Sequence, residues 1–288
     1  MSAQFEIIAK AVNMTGESPS WSASEQRLYW VDITDKKVYR WHETTGVQHW
    51  DTPQMAGCLM QHADGSFKLF QEDQISKLVF RQDELSIETT QQIQHPHPHL
   101  RFNDGCVDRQ GRAWIGSMHI QNNGSLVGTL YCAENEQLHS RIEGLATPNG
   151  LAFSPDGRTM YLSDSHPSIQ KIWAFDYDTD DGQLSNQRIF VDMQQYSGRP
   201  DGATVDTDGC YWICAIDSGC VLRFSPQGEL LMQYQLPISK PSKCIFGGRD
   251  LKTLFVTSLK PEHANEFDGS VFAIQTPYQG IHEAQVKR

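Results

Sequence analysis

One pattern recurs six times along the chain and narrows the folds open to it. Each copy is a short apolar run, a polar turn, and a second run with an aromatic residue at its centre. The copies read PSWSASEQRLYWVD, CLMQHADGSFKLF, CVDRQGRAWIGS, LAFSPDGRTMYLSD, ATVDTDGCYWICA and CIFGGRDLKTLFVT. Their aligned aromatics are Tyr29, Phe67, Trp114, Tyr161, Trp212 and Phe255, separated by 38, 47, 47, 51 and 43 residues. A strand–turn–strand unit with a period of roughly 40–50 residues is the mark of a β-propeller, each repeat becoming one blade. The 288 residues allow about 48 per repeat, enough for four strands.

Further strands are visible as KVYRW, ISKLVF, GTLYCA, KIWAFDY, CVLRFS and GSVFAI. FEIIAKAV precedes the first repeat and is expected to supply the outer strand of the last blade, closing the ring. No window carries the i, i+3, i+4, i+7 apolar stripe of a helix. The expectation is an all-β, six-bladed β-propeller with four antiparallel strands per blade, one domain over residues 1–288. Two β-sandwiches would need no internal repeat. A WD40 propeller would repeat the Trp-Asp pair that stands once, at Trp50-Asp51.

Composition narrows the partners. The formal charge of −11, with no basic run to offset it, argues against nucleic acid and against an anionic membrane surface. No apolar stretch approaches the roughly 18–20 residues of a membrane span. MSAQFEIIAK lacks a charged n-region followed by an apolar h-region, so a cytoplasmic protein is expected, as a monomer or small homo-oligomer. Seven cysteines, an odd number without a C-x-x-C pair, read as reduced and mostly buried thiols.

The chemistry follows from an offset. Counting back 11 or 12 residues from each aligned aromatic reaches Glu17, Ala56, Asn103, Asn149, Asp201 and Lys243. Equivalent positions in a propeller surround one axis, so these residues are expected just before each innermost strand, converging on one mouth of the channel. Glu17, Asn149 and Asp201 make a hard-oxygen set suited to one divalent cation: Ca²⁺, Mg²⁺ or Mn²⁺, with Zn²⁺ or Fe²⁺ also admissible. Three protein ligands leave room for water and substrate. Asn-Asp-Gly, Pro-Asn-Gly and Pro-Asp-Gly are also ordinary turn tripeptides. Against that reading, each blade has its own turn further on, such as Ser154–Gly157 in blade 4, and Glu17 lies in no turn signal.

An ordered set of motifs covers nearly the whole chain: Gly-Glu-Ser-Pro-Ser-Trp (16–21), Arg-Phe-Asn-Asp-Gly (101–105), Pro-Asn-Gly-Leu (148–151), Tyr-Leu-Ser-Asp (161–164), Arg-Pro-Asp-Gly (199–202) and Cys-Ile-Phe-Gly-Gly (244–248). In this the sequence resembles the SMP-30/gluconolactonase/regucalcin family of six-bladed propellers. The resemblance implies a divalent metal on Glu17, Asn149 and Asp201, and substrate hydroxyl contacts from Arg101 and Asn103. It implies hydrolysis of a sugar-acid lactone, with Asp201 as proton acceptor. The alternative is a calcium-binding regulatory propeller without physiological catalysis; the Arg101/Asn103 pair, which an ion site does not need, distinguishes the two. One departure stands out. Gln121 occupies, by spacing, the place of an acidic substrate contact of the regucalcin type. Gln accepts one hydrogen bond and donates others, so the preferred sugar is expected to differ.

Other features carry weaker signals. His95-Pro-His97-Pro-His99 resembles a metal tract, but its prolines favour a rigid loop near the site. His119 lies within reach of a substrate or at the surface. Asp32 and Asp164 are expected to cap turns. No Gly-x-Ser-x-Gly elbow signals a serine nucleophile.

Overall fold

Short aromatic and β-branched runs, bounded by Asp, Ser and Gly, pair as hairpins in the order the repeat predicts. The structure is a computed structural model describing residues 5–134 and 137–287. Residues 1–4, part of the stretch read for a leader, lie outside the described residues. Among the described residues the strands form six sheets of four, and neighbouring strands run antiparallel. One 3₁₀ turn, Met193–Gln195, interrupts this all-β pattern. The innermost strands of blades 1 to 6 are Gly16–Ser22, Cys58–Gln61, Leu100–Val107, Pro148–Phe153, Arg199–Val205 and Pro241–Gly247. Each touches the next, and the last touches the first, so they ring one axis.

The ring closes as expected. Phe5–Ala9 pairs with Val271–Gln275 and becomes the outer strand of blade 6, with Phe5 opposite Ile274 and Ile7 opposite Phe272. Apolar side chains on the two faces of each sheet pack against the neighbouring blades. The buried residues accordingly fall into six clusters, one per blade–blade interface. An aromatic pair sits in each: Tyr29–Phe67, Phe70–Phe102, Trp114–Phe153, Tyr161–Tyr211, Trp212–Phe246 and Phe255–Trp21, with ring centroids 4.6 to 6.1 Å apart. Burying each such ring contributes about 1.5–3 kcal/mol. Five of the six aligned aromatics face the following blade, whereas Phe67 faces back onto Tyr29.

Beyond blade 6 the chain crosses the channel mouth opposite to the strand starts. Gly280 N–H donates to Leu251 O (2.8 Å), Arg109 Nη1 to His282 O (3.4 Å), and Val286 N–H to Gln61 O (2.9 Å). This C-terminal strap thus links blades 6, 3 and 2. All seven cysteines are free thiols, six of them buried.

Candidate active site

Five of the six offset residues lie inside the innermost strands, not before them as expected; Ala56 alone precedes its strand. The reason is a β-bulge. In five blades two residues of the inner strand oppose one of its partner, between Glu17 and Ser20, Phe102 and Gly105, Asn149 and Ala152, Pro200 and Ala203, and Pro241 and Cys244. A bulge leaves a residue unpaired and re-aims its neighbours. Glu17, Asn103, Asn149, Asp201 and Lys243 all sit on or beside one. Blade 2 pairs without a bulge and contributes Ala56.

All five are at least nine-tenths buried. Asn149 Nδ2 donates to Ser165 Oγ (2.8 Å), and that hydroxyl donates to Pro200 O, which ties Asn149 to the residue before Asp201. Glu17 accepts one hydrogen bond, from the Ser18 N–H at 2.9 Å. No donor among the described residues reaches the Asp201 carboxylate or the Asn149 Oδ1. Burial pushes the Glu17 carboxyl up to about 7, with the Asp104 charge adding to it. Asp201 is also raised well above the usual carboxylate range, by burial first, then by Glu17 and Asp104. Two buried carboxylates and an amide oxygen, close enough to repel and short of donors, form a set that a hard divalent cation fits.

Arg101 belongs to the same space. Burial lowers its guanidinium to about 10, opposed by Glu17, Glu72 and Asp201. Its Nη1 donates to Asn103 Oδ1 (2.7 Å) and Phe102 O (2.8 Å), while Asn103 Nδ2 donates to Pro148 O (3.0 Å). Gln121 is not part of this buried group. It is exposed in the turn closed by Asn122 N–H to His119 O (2.9 Å).

The three histidines of the Pro-rich loop diverge. His95 Nε2 meets Glu72 O (2.7 Å) under Phe102, His97 is exposed, and His99 lies 6.0 Å from the His119 ring. Asp32 and Asp164 cap turns: Asp32 accepts from Met14 and Thr15 N–H, Asp164 from Ala146 and Thr147 N–H.

Two functional neighbours escaped the sequence reading. Lys243 Nζ donates to Asp104 Oδ1 (2.5 Å) and Gly105 O (2.9 Å), and Asp104 Oδ2 accepts the Leu151 N–H (3.0 Å). Burial alone would lower the Lys243 ammonium, but the charges of Asp104, Cys58 and Glu283, with the Asp104 hydrogen bond, together outweigh it and hold the group above its usual range. The offset had reached Lys243 without a role for it; Asp104 looked like part of a turn.

Residues 15–260 match the family model described as SMP-30/Gluconolactonase/LRE-like region. A 6-deoxy-6-sulfogluconolactonase of Pseudomonas putida is 34% identical, covering 98% of this chain and 98% of its own. A regucalcin of Danio rerio is 33% identical over 89% of this chain and 87% of its own. Among solved structures, a luciferin-regenerating enzyme superposes with a TM-score of 0.91 at 27% identity, covering all of both chains.

Proposed function

The chain belongs to the SMP-30/gluconolactonase/LRE-like family, and from that premise we propose that it hydrolyses a sugar-acid lactone to the free aldonic acid with the help of one divalent cation. The observation that carries this reading is the juxtaposition of donor-poor, buried Glu17, Asn149 and Asp201 with the Arg101 guanidinium. A purely ion-binding propeller would have no use for that guanidinium beside its ligands.

Glu17, Asn149 and Asp201 would hold the cation. When bound, it supplies a Lewis acid that polarises the lactone carbonyl and acidifies water. Asn103 uses both ends of its amide on Arg101 and Pro148. It therefore positions Arg101, whose Nε and Nη2 remain to orient substrate oxygens. Asp201 accepts the proton of the attacking water through a carboxylate oxygen and returns it to the ring oxygen as the ester opens. Gln121, at the rim, offers amide donors and an acceptor to a sugar hydroxyl.

The test is proton release from glucono-, galactono-, xylono- and arabinonolactone by chelator-stripped protein, with Ca²⁺, Mg²⁺, Mn²⁺, Zn²⁺ or Fe²⁺ restored singly and spontaneous opening subtracted. Cation-restored turnover, absent from Asp201→Ala, is expected. Saturable cation binding without turnover on any lactone would favour the regulatory ion-binding alternative.

A further inference from the structure

Lys243 is the residue that the sequence offset reaches in blade 6; it lies one residue further into its bulge than Asp201 does in blade 5, and it brings an ammonium where Glu17, Asn149 and Asp201 bring oxygen. We propose that Lys243 is the positioning and charge-setting residue of the cation site, cancelling Asp104 across the channel and bearing, directly or through Asp104 and Ser242, on the strand that carries each of the three ligands. This rests on reading Glu17, Asn149 and Asp201 as those ligands.

Three contacts support it. The ammonium reaches from blade 6 to blade 3, pairing with Asp104 at 2.5 Å, and Asp104 in turn takes the N–H of Leu151, two residues after Asn149. The stem of Lys243 lies under blade 5: a Cβ on Gly202, next to Asp201, would fall 2.4 Å from both its Cβ and its Cγ. The third contact runs through its neighbour. Ser242 Oγ donates to Gly16 O (2.5 Å), the residue before Glu17, and Thr257 Oγ1 donates to Lys243 O (3.2 Å). Lys243 and its immediate neighbour thereby touch the strands of Asp201 and Glu17 and reach that of Asn149 through Asp104.

The charges point the same way. Asp104, Glu17 and Asp201 bring three carboxylates to one buried space. Lys243 cancels one of them at hydrogen-bond distance, while Arg101 adds its charge at the mouth. Glu283 of the C-terminal strap also acts on Lys243. Arg101 and Glu283 stay constant when Lys243 is changed, so the change isolates one unit of charge. A site one unit more negative favours a trivalent ion over a divalent ion of similar size.

The experiment is calorimetric titration of chelator-stripped protein with Ca²⁺ and with La³⁺, folding being checked by circular dichroism. The ratio of La³⁺ to Ca²⁺ affinity is expected to rise about tenfold or more in Lys243→Met. It should return toward the wild-type value in Lys243→Met/Asp104→Asn, where no buried charge is stranded. Asp104→Asn alone should lower it, which keeps the test decisive even if Lys243→Met does not fold. A ratio unchanged in the folded variants, with only the melting temperature reduced, would overturn the proposal and leave Lys243 a structural brace. Wild type that binds neither ion, or Glu17→Gln that binds both undiminished, would overturn the ligand reading and the proposal with it.

Discussion

Glu17 and Asp201 place like charges in a space from which bulk water is largely excluded. In the metal-free protein Glu17 keeps its proton up to about pH 7, against an ordinary value of 4.5. A folded value raised in this way gives stability that is full below the unfolded value and lost as pH rises through the folded one. The melting temperature of chelator-stripped protein is therefore expected to fall between about pH 5 and about pH 8. Glu17→Gln should flatten that fall, and a saturating divalent cation should oppose it; a flat wild-type profile would contradict the buried-carboxylate account. Cation affinity, by the same linkage, weakens as pH drops below about 7, because the ion must displace a proton. Asp201→Asn separates two roles in one side chain. It keeps an oxygen ligand but loses the proton acceptor, so kcat should drop by about 10²–10⁴-fold, with cation affinity, measured by titration, falling much less.

The bulge is the element that makes the site. A regular strand alternates its side chains between two faces, so five inner strands of strict period two could not all turn the same residue inward beside a buried interface. Blade 2, which lacks the bulge, meets blade 3 backbone to backbone. A Cβ on Gly57 would lie 2.2 Å from Phe102 O and 2.8 Å from Asn103 O. Gly57→Ala is expected to cost about 1–3 kcal/mol, read as a melting temperature several degrees lower. Much of this level was legible in the sequence. The repeat of aromatic and turn residues predicted six blades and the closing strand, and the offset of 11 or 12 residues reached buried positions on or beside the bulges. The bulges were not legible, because an extra unpaired residue in a Gly- or Pro-containing run has the same composition as a turn; the offset residues were accordingly placed ahead of the strands. The reversed facing of Phe67 was hidden for a related reason, since an aromatic looks the same whichever neighbour it packs against. The Lys243–Asp104 pair spans 139 residues of sequence, and no local pattern links its halves.

The whole molecule depends on two crossings of its own ring. The C-terminal strap closes the far mouth without any periodic signal, through backbone hydrogen bonds to Leu251, Gln61 and Gly111 that sequence pattern does not predict. The N-terminal strand closes the circle itself. Removing residues 1–9 would leave blade 6 with three strands and expose Val271–Gln275 as an open edge. Such a chain is expected to melt broadly in calorimetry and to associate in size-exclusion chromatography, whereas the full chain is expected to melt in one sharp step; an unchanged melting curve would show that the closing strand is dispensable. That closure also orders events on the ribosome. Phe5–Ala9 is synthesised before blades 1 to 5 and stays without its partner until Val271–Gln275 has followed them. A nascent polypeptide therefore carries Glu17, Asn149 and Asp201 on blades not yet locked in a circle, and the proposed cation site is complete only once Val271–Gln275 has been made.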